Sequence, residues 1–443
     1  MHLDGHLDTG DTAWVLVAAA LVLLMTPGLA FFYGGMVRAK SVLNMLMMSF
    51  SAIGIVSLLW VLFGYSVAFG DSSGSAWSGL WGGLGDAGLS GMVDTMTVNG
   101  AAYAVPVLVF AAFQLMFAVI TPALISGAIA DRAKFGTWMA FVAIWVTLVY
   151  FPVAHWVFDF GDGHGRGAGW LAGLGVLDFA GGTAVHVNAG AAGLALALVL
   201  GKRVGWRREP MRPHNLTLVM LGAGLLWFGW FGFNAGSALG ANATAGLAFL
   251  NTQLAAAAAM LGWLLVERVR DGHYTTLGTA SGAVAGLVAI TPACAFVSPI
   301  GASLLGLVAG CVCSMAVSLK WRLGLDDSLD VVGVHLVGGA LGSVSLGFLA
   351  TGGGILYGGD LSLLGKQVLA VAVVGTFSFT VAFAAGKLLD LTVGFRLPAD
   401  EEMLGVDQAS HAETGYDLHA SVGGRGHLTS TVTRPHAREM VSR

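Results

Sequence analysis

Long apolar segments separated by short polar loops make up most of this 443-residue chain. A helix needs about 20 apolar residues to cross the hydrocarbon core of a bilayer, and eleven segments have roughly that length. The pattern therefore predicts an all-α polytopic membrane protein with eleven transmembrane helices. The segments cover residues 12–35, 43–69, 100–127, 135–157, 178–200, 215–238, 244–266, 276–297, 300–319, 330–352 and 364–392.

The composition agrees with this fold class. Hydrophobic residues make up 56% of the chain and charged residues only 10%, whereas soluble proteins carry about 25% charged residues. The 66 glycines allow close approach between membrane helices. A net charge of −4 gives no indication of nucleic-acid binding. Because the sequence shows no metal-ligand cluster, nucleophile motif or phosphate loop, we expect no enzymatic activity, no metal and no cofactor.

Basic residues are distributed unequally between the two sets of loops. All of the 21 Lys and Arg residues except Arg166 and Lys366 lie in one set of loops or near the C-terminus. Because cytoplasmic loops carry such an excess, we expect the N-terminus outside and the C-terminus in the cytoplasm. Residues 1–392 are then the transmembrane domain, and the polar residues 393–443 are a cytoplasmic tail.

Two histidines interrupt apolar segments at the same interval after an aspartate. His186 follows Asp178, and His335 follows Asp327, each eight positions later. An ionisable group inside a bilayer is costly, so it indicates a functional site. One such histidine could simply hold two helices together, but two at matching positions favour a shared site. Neutral imidazole has one donor and one acceptor, so a pair can pass a hydrogen bond or a proton along.

The matching Asp–His intervals also indicate an internal repeat. An odd number of segments separates corresponding points, so the two halves would have opposite orientations in the membrane. The repeat pairs segments one to five, about residues 12–200, with segments six to ten, about residues 215–352. The segment 364–392 then remains as an eleventh helix outside the repeat.

The aspartates of these intervals have more than one interpretation. Asp178 could cap a helix, because Asp is a favoured N-cap residue, or it could attract a cation near the entrance of a pathway. The two roles are compatible. Asp327 and Asp330 lie on the predicted cytoplasmic side, where we expect them to cap a helix.

An aromatic run in the sixth segment places three side chains on one helix face. Trp230, Phe233 and Ser237 follow helical spacing, and residues spaced in this way are neighbours on a helix surface. Aromatic faces attract cations, and a hydroxyl adds an acceptor. By spacing alone, however, packing or an interfacial aromatic belt explains the run better.

Four motifs together resemble the ammonium transporter family, which includes Amt proteins, methylammonium permeases and Rhesus proteins; the similarity is to the bacterial Amt type. The motifs are residues 178–190, 229–238, 286–294 and 330–335, and the resemblance extends over about residues 12–416. It implies eleven helices, an inverted five-plus-five repeat and a homotrimer with one pore per subunit. It also implies uptake of ammonium or ammonia, with methylammonium as an analogue, across the cell membrane.

The resemblance further implies roles for individual side chains in the pore and at its outer entrance. In the family, twin histidines line the conducting pore, a phenylalanine pair closes the outer vestibule, and an acidic residue lies near the outer ammonium site. Thr291, in a matching motif, is expected to be structural. The matching residues are His186 and His335 (pore), Phe117 and Phe233 (phenylalanine pair), Asp178 (acidic residue), and Trp230 and Ser237 (outer site).

The chain departs from the family pattern near the outer site. Phe158 occupies the position of a common tryptophan, and a Gly- and Asp-rich stretch near 159–167 looks inserted. A phenylalanine ring binds cations less well than an indole. The resemblance therefore does not determine the affinity of the outer site for ammonium. Residues 405–416 resemble the family's cytoplasmic tail, which implies docking of a trimeric P-II signalling protein, and residues 417–443 match no known pattern.

The predicted mechanism depends on the release of a proton from ammonium. Moving a bare ion into an apolar pore costs of order tens of kcal/mol before relaxation. Ammonium can avoid this cost by releasing a proton, whereas potassium cannot. Two alternatives remain open at this point. The pore could be an electroneutral, Rhesus-like ammonia gas channel, or the protein could be an ammonium sensor that signals through its tail.

Overall fold

The computed structural model describes residues 7–71, 75–90, 92, 95–98, 101–161 and 167–416. The tail beyond residue 416 and the middle of the stretch predicted as an insertion lie outside these residues. Within the described residues, ten helices are long and apolar enough to cross a membrane. They are α1 (Thr9–Met36), α2 (Ala39–Phe69), α3 (Val107–Ile129), α4 (Phe135–Phe158), α5 (Gly182–Leu200), α6 (Leu216–Gly236), α7 (Ala243–Asp271), α9 (Pro299–Leu323), α10 (Val332–Leu349) and α11 (Leu361–Thr392).

The predicted eighth segment forms a shorter helix. α8 (Thr276–Ile290) has 15 residues, and turns continue the chain through residues 291–296. The predicted span 276–297 is therefore helical only in its first part. Two short helices, α12 (Ala399–Leu404) and α13 (Val406–His411), follow α11 in the predicted tail, and a single helical turn, Trp170–Gly173, precedes α5.

The chain also contains a β-hairpin that the helical prediction missed. β1 (Thr95–Val98) and β2 (Ala101–Pro106) pair in antiparallel orientation. The prediction that residues 100–127 are helical throughout is therefore wrong at its start. α3 begins only after Pro106, which adopts an extended conformation at the helix N-cap. Apolar residues in a strand and in a short stretch of helix cannot be distinguished by hydropathy alone.

Charged groups from several loops meet on one face of the bundle, which we call the basic side. Arg203, after α5, donates to Asp131, after α3, at 3.1 Å and to Asp326, after α9, at 2.8 Å. Arg396, after α11, pairs with Glu402 at 2.8 Å. Burial alone would raise the pKa of the Asp326 carboxyl, but the hydrogen bonds and charge of Arg203 leave it below its ordinary value. These loops share one side, as the predicted alternation requires.

The described part of the tail packs against this basic side. Asp407, in α13, accepts the backbone N–H groups of Leu43 at 3.0 Å and Asn44 at 2.8 Å, and so caps the start of the α-helical part of α2. His411 Nε2 lies 3.0 Å from Asn44 Oδ1. The segment that resembles the family's tail is therefore held by hydrogen bonds to a membrane helix.

α5 and α10 cross closely, and the contact is reciprocal. A Cβ atom on Gly190 would lie 2.4 Å from the Leu336 backbone nitrogen, and one on Gly339 would lie 2.9 Å from His186 Cβ. Each glycine comes four residues after a histidine, Gly190 after His186 and Gly339 after His335. Both histidines lie in π-helical turns that begin these helices. Because only glycine fits at these contacts, it sets the distance between the two histidine-bearing turns.

We expect the Gly190→Ala substitution to separate the two helices and to destabilise the protein. Overpacking of a close contact costs about 1–3 kcal/mol, so the thermal unfolding midpoint in detergent should fall. Gly224→Ala is the matched control, because a Cβ atom there meets nothing within 4 Å, and an alanine in a helix should leave the midpoint unchanged or slightly higher. Equal midpoints for the two variants would contradict the proposed close contact.

Candidate functional site

A vestibule opens at the end of the bundle opposite the basic side. Its volume is about 290 Å³. Ser237, at the C-terminal end of α6, reaches it, whereas the N-terminal end of α6 contacts the basic side through His214 and Val37. Four residues predicted for the site line this cavity: Phe117, Phe158, Asp178 and Ser237. The other lining residues are Phe110, Phe113, Gln114, Phe160, Val176, Leu177, Phe179, Leu239 and Phe296.

Two phenylalanine rings pack together beside the vestibule: Phe117 lines it, and Phe233 lines the small cavity that contains the histidine side chains. The ring centroids of Phe117 and Phe233 are 4.2 Å apart with 32° between the ring planes. Both side chains are fully buried. Phe158 stands above this pair, 6.5 Å from Phe117 and nearly perpendicular to it at 75°. The structure therefore brings together Phe117, Phe233 and Phe158, and the first two rings lie between the vestibule and the cavity lined by the histidines.

Asp178 is the cap of α5. Its Oδ1 accepts the N–H groups of Gly181 at 2.8 Å and Gly182 at 2.6 Å. Its Oδ2 accepts the N–H groups of Thr183 at 2.8 Å and Ala184 at 3.2 Å, and also the Thr183 hydroxyl. A carboxylate at a helix N-terminus interacts favourably with the helix dipole. Asp178 thus fixes the start of the helix that carries His186, and it also borders the vestibule.

Asp327 has the same relation to α10 that Asp178 has to α5. It accepts the N–H groups of Val331 at 3.1 Å and Val332 at 2.8 Å, so the predicted capping role is confirmed. Burial raises the pKa of the Asp327 carboxyl to about 6. Asp330, which the sequence also suggested as a cap, instead pairs with Lys320 at 2.5 Å.

The two predicted pore histidines are in direct contact. His186 Nδ1 and His335 Nδ1 are 3.3 Å apart, and the ring centroids are 5.4 Å apart with 23° between the planes. Two nitrogens at this distance form a hydrogen bond only if one carries the hydrogen and the other offers its lone pair. Two neutral rings that share this hydrogen bond are therefore different tautomers. Among the residues that the structure describes, His186 Nε2 has no hydrogen-bond partner.

Trp230 lies deeper than the sequence analysis predicted. Its ring is parallel to His186 within 23°, with centroids 5.4 Å apart, and its Nε1 donates to Thr291 Oγ1 at 2.8 Å. It is absent from the vestibule lining, where Ser237 and Phe158 are found. Helical spacing predicted one shared face correctly but contains no information on depth, and Phe233 separates the two levels. Thr291 positions the indole, which agrees with the structural role expected for it.

Two small cavities lie below the phenylalanine pair, and we refer to them together as the passage. One small cavity of about 10 Å³ contains the histidine pair and Trp230 within apolar walls, and a second of about 10 Å³ leads from His335 towards the basic side. The first is completed by Met25, Leu29, Phe32, Ile120, Leu124, Val185, Leu226, Phe233 and Val284. The second is completed by Phe32, Tyr33, Met36, Ser281, Val284, Leu329, Asp330 and Val334. Most of these walls come from α1, α6 and α8. Of these, α1 carried no sequence signal beyond hydrophobicity, whereas α6 and α8 contain parts of two of the family motifs.

In the described part of the chain, no group of three or more His, Cys, Asp or Glu side chains could hold a metal ion. The three cysteines are free, and two of them, Cys294 and Cys313, are buried. The polar side chains that line the two small cavities are the histidine pair, the Trp230 indole, the Tyr33 and Ser281 hydroxyl groups and the Asp330 carboxylate.

A bundle of apolar helices around an open vestibule and a histidine-lined passage defines a multi-pass membrane protein of the transporter and channel class. The chain belongs to the ammonium transporter family, whose sequence profile, described as Ammonium Transporter Family, matches residues 13–416. The predicted family is thereby confirmed. The family consists of transporters and not of enzymes, and the protein is a multi-pass protein of the cell membrane.

Known proteins resemble this one over nearly their whole length. An ammonium transporter of Mycobacterium tuberculosis (strain H37Rv) is 56% identical over 438 residues, which is 94% of this chain and 92% of the relative. The crystal structure of Candida albicans Mep2 has a TM-score of 0.81 at 35% identity and covers 90% of this chain and 89% of its own. A solved structure described as a sensor Amt protein has a TM-score of 0.81 at 30% identity, with coverage of 91% and 98%.

We expect the Asp178→Asn substitution to destabilise the protein and to impair transport, because an amide nitrogen cannot accept the N–H groups that the carboxylate holds. Hydrogen bonds to a charged group contribute about 1.5–3 kcal/mol, so the unfolding midpoint should fall clearly. Asp360→Asn is the matched control, since Asp360 caps α11 at an exposed position through Ser362. A drop no larger than that of the control would show that the Asp178 carboxylate is dispensable.

Proposed function

We propose that the protein takes up ammonium by binding it in the vestibule, removing a proton near the phenylalanine pair and conducting ammonia past the two histidines. The observation that carries this proposal is the 3.3 Å contact between His186 and His335 inside a passage with otherwise apolar walls. A buried polar pair in such surroundings offers hydrogen bonds to a small neutral molecule while the walls oppose bare ions.

The vestibule has the groups that an ammonium ion requires. Phe158 and Phe117 present aromatic faces, which attract a desolvated cation by about 2 kcal/mol. The Ser237 hydroxyl donates to the Phe233 carbonyl at 2.8 Å, so its oxygen lone pairs are available to accept an N–H group of the ion. Asp178 places a negative charge at the same cavity. Trp230 acts one level deeper, where it holds His186 in a parallel stack.

Deprotonation separates ammonium from potassium. The closed rings of Phe117 and Phe233 exclude a hydrated ion, and the walls beneath them contain almost no polar groups to replace its water. Ammonium passes this barrier as ammonia after releasing its proton, whereas potassium has no neutral form. The histidine pair accepts and donates hydrogen bonds along the passage, and a change of tautomer in both rings carries a proton from one nitrogen to the next.

The membrane arrangement is part of the proposal. We propose eleven crossings, with α8 and its following turns as the eighth: Thr275, before α8, bonds to Glu267 near the end of α7, whereas the Cys294 carbonyl after α8 accepts from Asn251 in the first half of α7. The reciprocal contact of Gly190 and Gly339 supports an inverted repeat. The asymmetry of basic residues supports a cytoplasmic basic side and C-terminus.

Membership of the family supports a trimeric assembly and a cytoplasmic partner protein. We propose a homotrimer with one pore per subunit, and a trimeric P-II protein that docks on the basic side, where residues 393–416 are held.

An ammonium sensor is the second candidate, favoured by the likeness to the structure described as a sensor Amt protein. A strain without its ammonium transporters, starved at low ammonium and acidic pH, separates the two candidates. Growth restored by this protein supports transport, whereas unchanged growth with altered ammonium-dependent regulation supports sensing.

We expect His186→Ala to abolish most methylammonium uptake in proteoliposomes, because it removes half of the hydrogen-bonding pair. Proton transfer by a positioned side chain contributes a factor of about 10²–10⁴, so uptake should fall at least about a hundred-fold. His214→Ala, on the basic side, is the control. Uptake and potassium exclusion like those of the unaltered protein would refute the histidine relay.

We expect ammonium pulses to generate charge movement on solid-supported membranes, since the contact between the two rings provides a path for the released proton. The currents should disappear in His186→Ala. Ammonium uptake without any charge movement would instead support the electroneutral gas channel, in which the proton returns to the outside.

A further inference from the structure

His155 lies at the end of α4 with both ring nitrogens next to carbonyl oxygens. Its Nδ1 is 3.0 Å from the Ala68 carbonyl oxygen, and its Nε2 is 2.8 Å from the Ser78 carbonyl oxygen. The side chain is only 1% exposed. Ala68 is at the end of α2, and Ser78 belongs to the connection that follows it. One imidazole thus joins the end of α4 to the end of α2 and to the connection that follows α2. We call these two parts together the outer segment.

This geometry favours two ring hydrogens over one. A carbonyl oxygen only accepts hydrogen bonds, and a neutral imidazole has a single N–H group. A neutral His155 would therefore satisfy one carbonyl and direct a lone pair at the other from about 3 Å. An imidazolium has two N–H groups and satisfies both. A buried cation also requires a counterion, and Asp159 supplies it, with its Oδ2 3.3 Å from His155 Nδ1 and its side chain equally buried.

Phe158 lies between His155 and Asp159 in sequence, at the end of α4. Phe158 borders the vestibule, and its Cζ would be 3.6 Å from a Cβ atom on Gly181, inside the loop that Asp178 caps. The chain leading to α5 crosses directly over the pair: Gly169 donates its N–H to the Asp159 carbonyl at 2.8 Å. The orientation of the last turn of α4 therefore decides where the Phe158 ring stands.

We propose that His155 is a positioning residue: as an imidazolium paired with Asp159, it fastens the end of α4 to the outer segment and so holds Phe158 at the mouth of the vestibule. This inference rests on the proposed function for its consequence in transport, because it assumes that Phe158 contacts ammonium. The charge state of His155 stands independently of that assumption.

The first test is spectroscopic and uses the unaltered full-length protein. Protein with ¹⁵N-labelled histidine in liposomes is examined by solid-state NMR at the neutral pH of the transport assay, and the His155 signals are those missing from His155→Gln. We expect two protonated ring nitrogens. One protonated and one unprotonated nitrogen would overturn the proposal, whether or not any variant transports.

The second test measures methylammonium uptake as a function of concentration. His155→Gln removes the charge, and we expect its KM to rise about two- to five-fold, the range of a weakened cation–π contact, with a maximal rate close to that of the unaltered protein. Trp156→Phe is the matched control: Trp156 Nε1 donates to the Leu80 carbonyl at 2.7 Å, so this variant loosens the same outer segment without touching the charged pair.

The outcomes of the uptake test are distinct. A KM that rises in His155→Gln but not in Trp156→Phe supports the proposal. Equal changes in both variants, or a lower maximal rate with an unchanged KM, would show that His155 only stabilises the fold and would overturn it. Absence of uptake by the unaltered protein would refute the proposed function instead, while the NMR result would still decide the charge state of His155.

Discussion

The close approach of α5 and α10 holds the two histidine-bearing turns together. Gly190 and Gly339 remove the Cβ atoms that would otherwise separate the two helices, and the π-helical turns before them carry His186 and His335. Two imidazoles can share a hydrogen bond only within a narrow range of distance. A methyl group at either crossing point would break this contact, although neither glycine touches the passage itself.

The two aspartates extend this constraint to the helix ends. A helix start leaves unpaired N–H groups, which are expensive inside a membrane. Asp178 satisfies them at the vestibule, and Asp327 does so towards the basic side. The same carboxylates thereby determine the height at which each histidine lies. Between the two aspartates, the passage is lined by mostly apolar side chains, whereas the charged groups described above lie towards the two ends of the bundle.

The ion pairs of Arg203 and Arg396 lie on the basic side, where they connect loops and do not line the passage. Arg203 connects the loops after α3, α5 and α9, and Asp407 attaches the tail to α2. Buried ion pairs of this kind contribute little net stability but a defined arrangement. At the opposite end, His155 and Asp159 provide a comparable fastening for the rim of the vestibule. The bundle thus has a largely apolar interior that is held by polar contacts at both ends.

Hydropathy and a repeated interval are one-dimensional signals, so the amino-acid sequence was enough to predict the membrane class, the approximate positions of ten long helices and a site shared by His186 and His335. It also indicated the family through motifs around these residues. It could not determine that residues 101–106 form a strand, since apolar strands and helices share composition. Nor could it assign Trp230 to the histidine level and Ser237 to the vestibule, because spacing along a helix defines a face but not what covers it. The charge on His155 depends on two carbonyl groups far away in sequence, and only tertiary structure brings those acceptors to both sides of one ring.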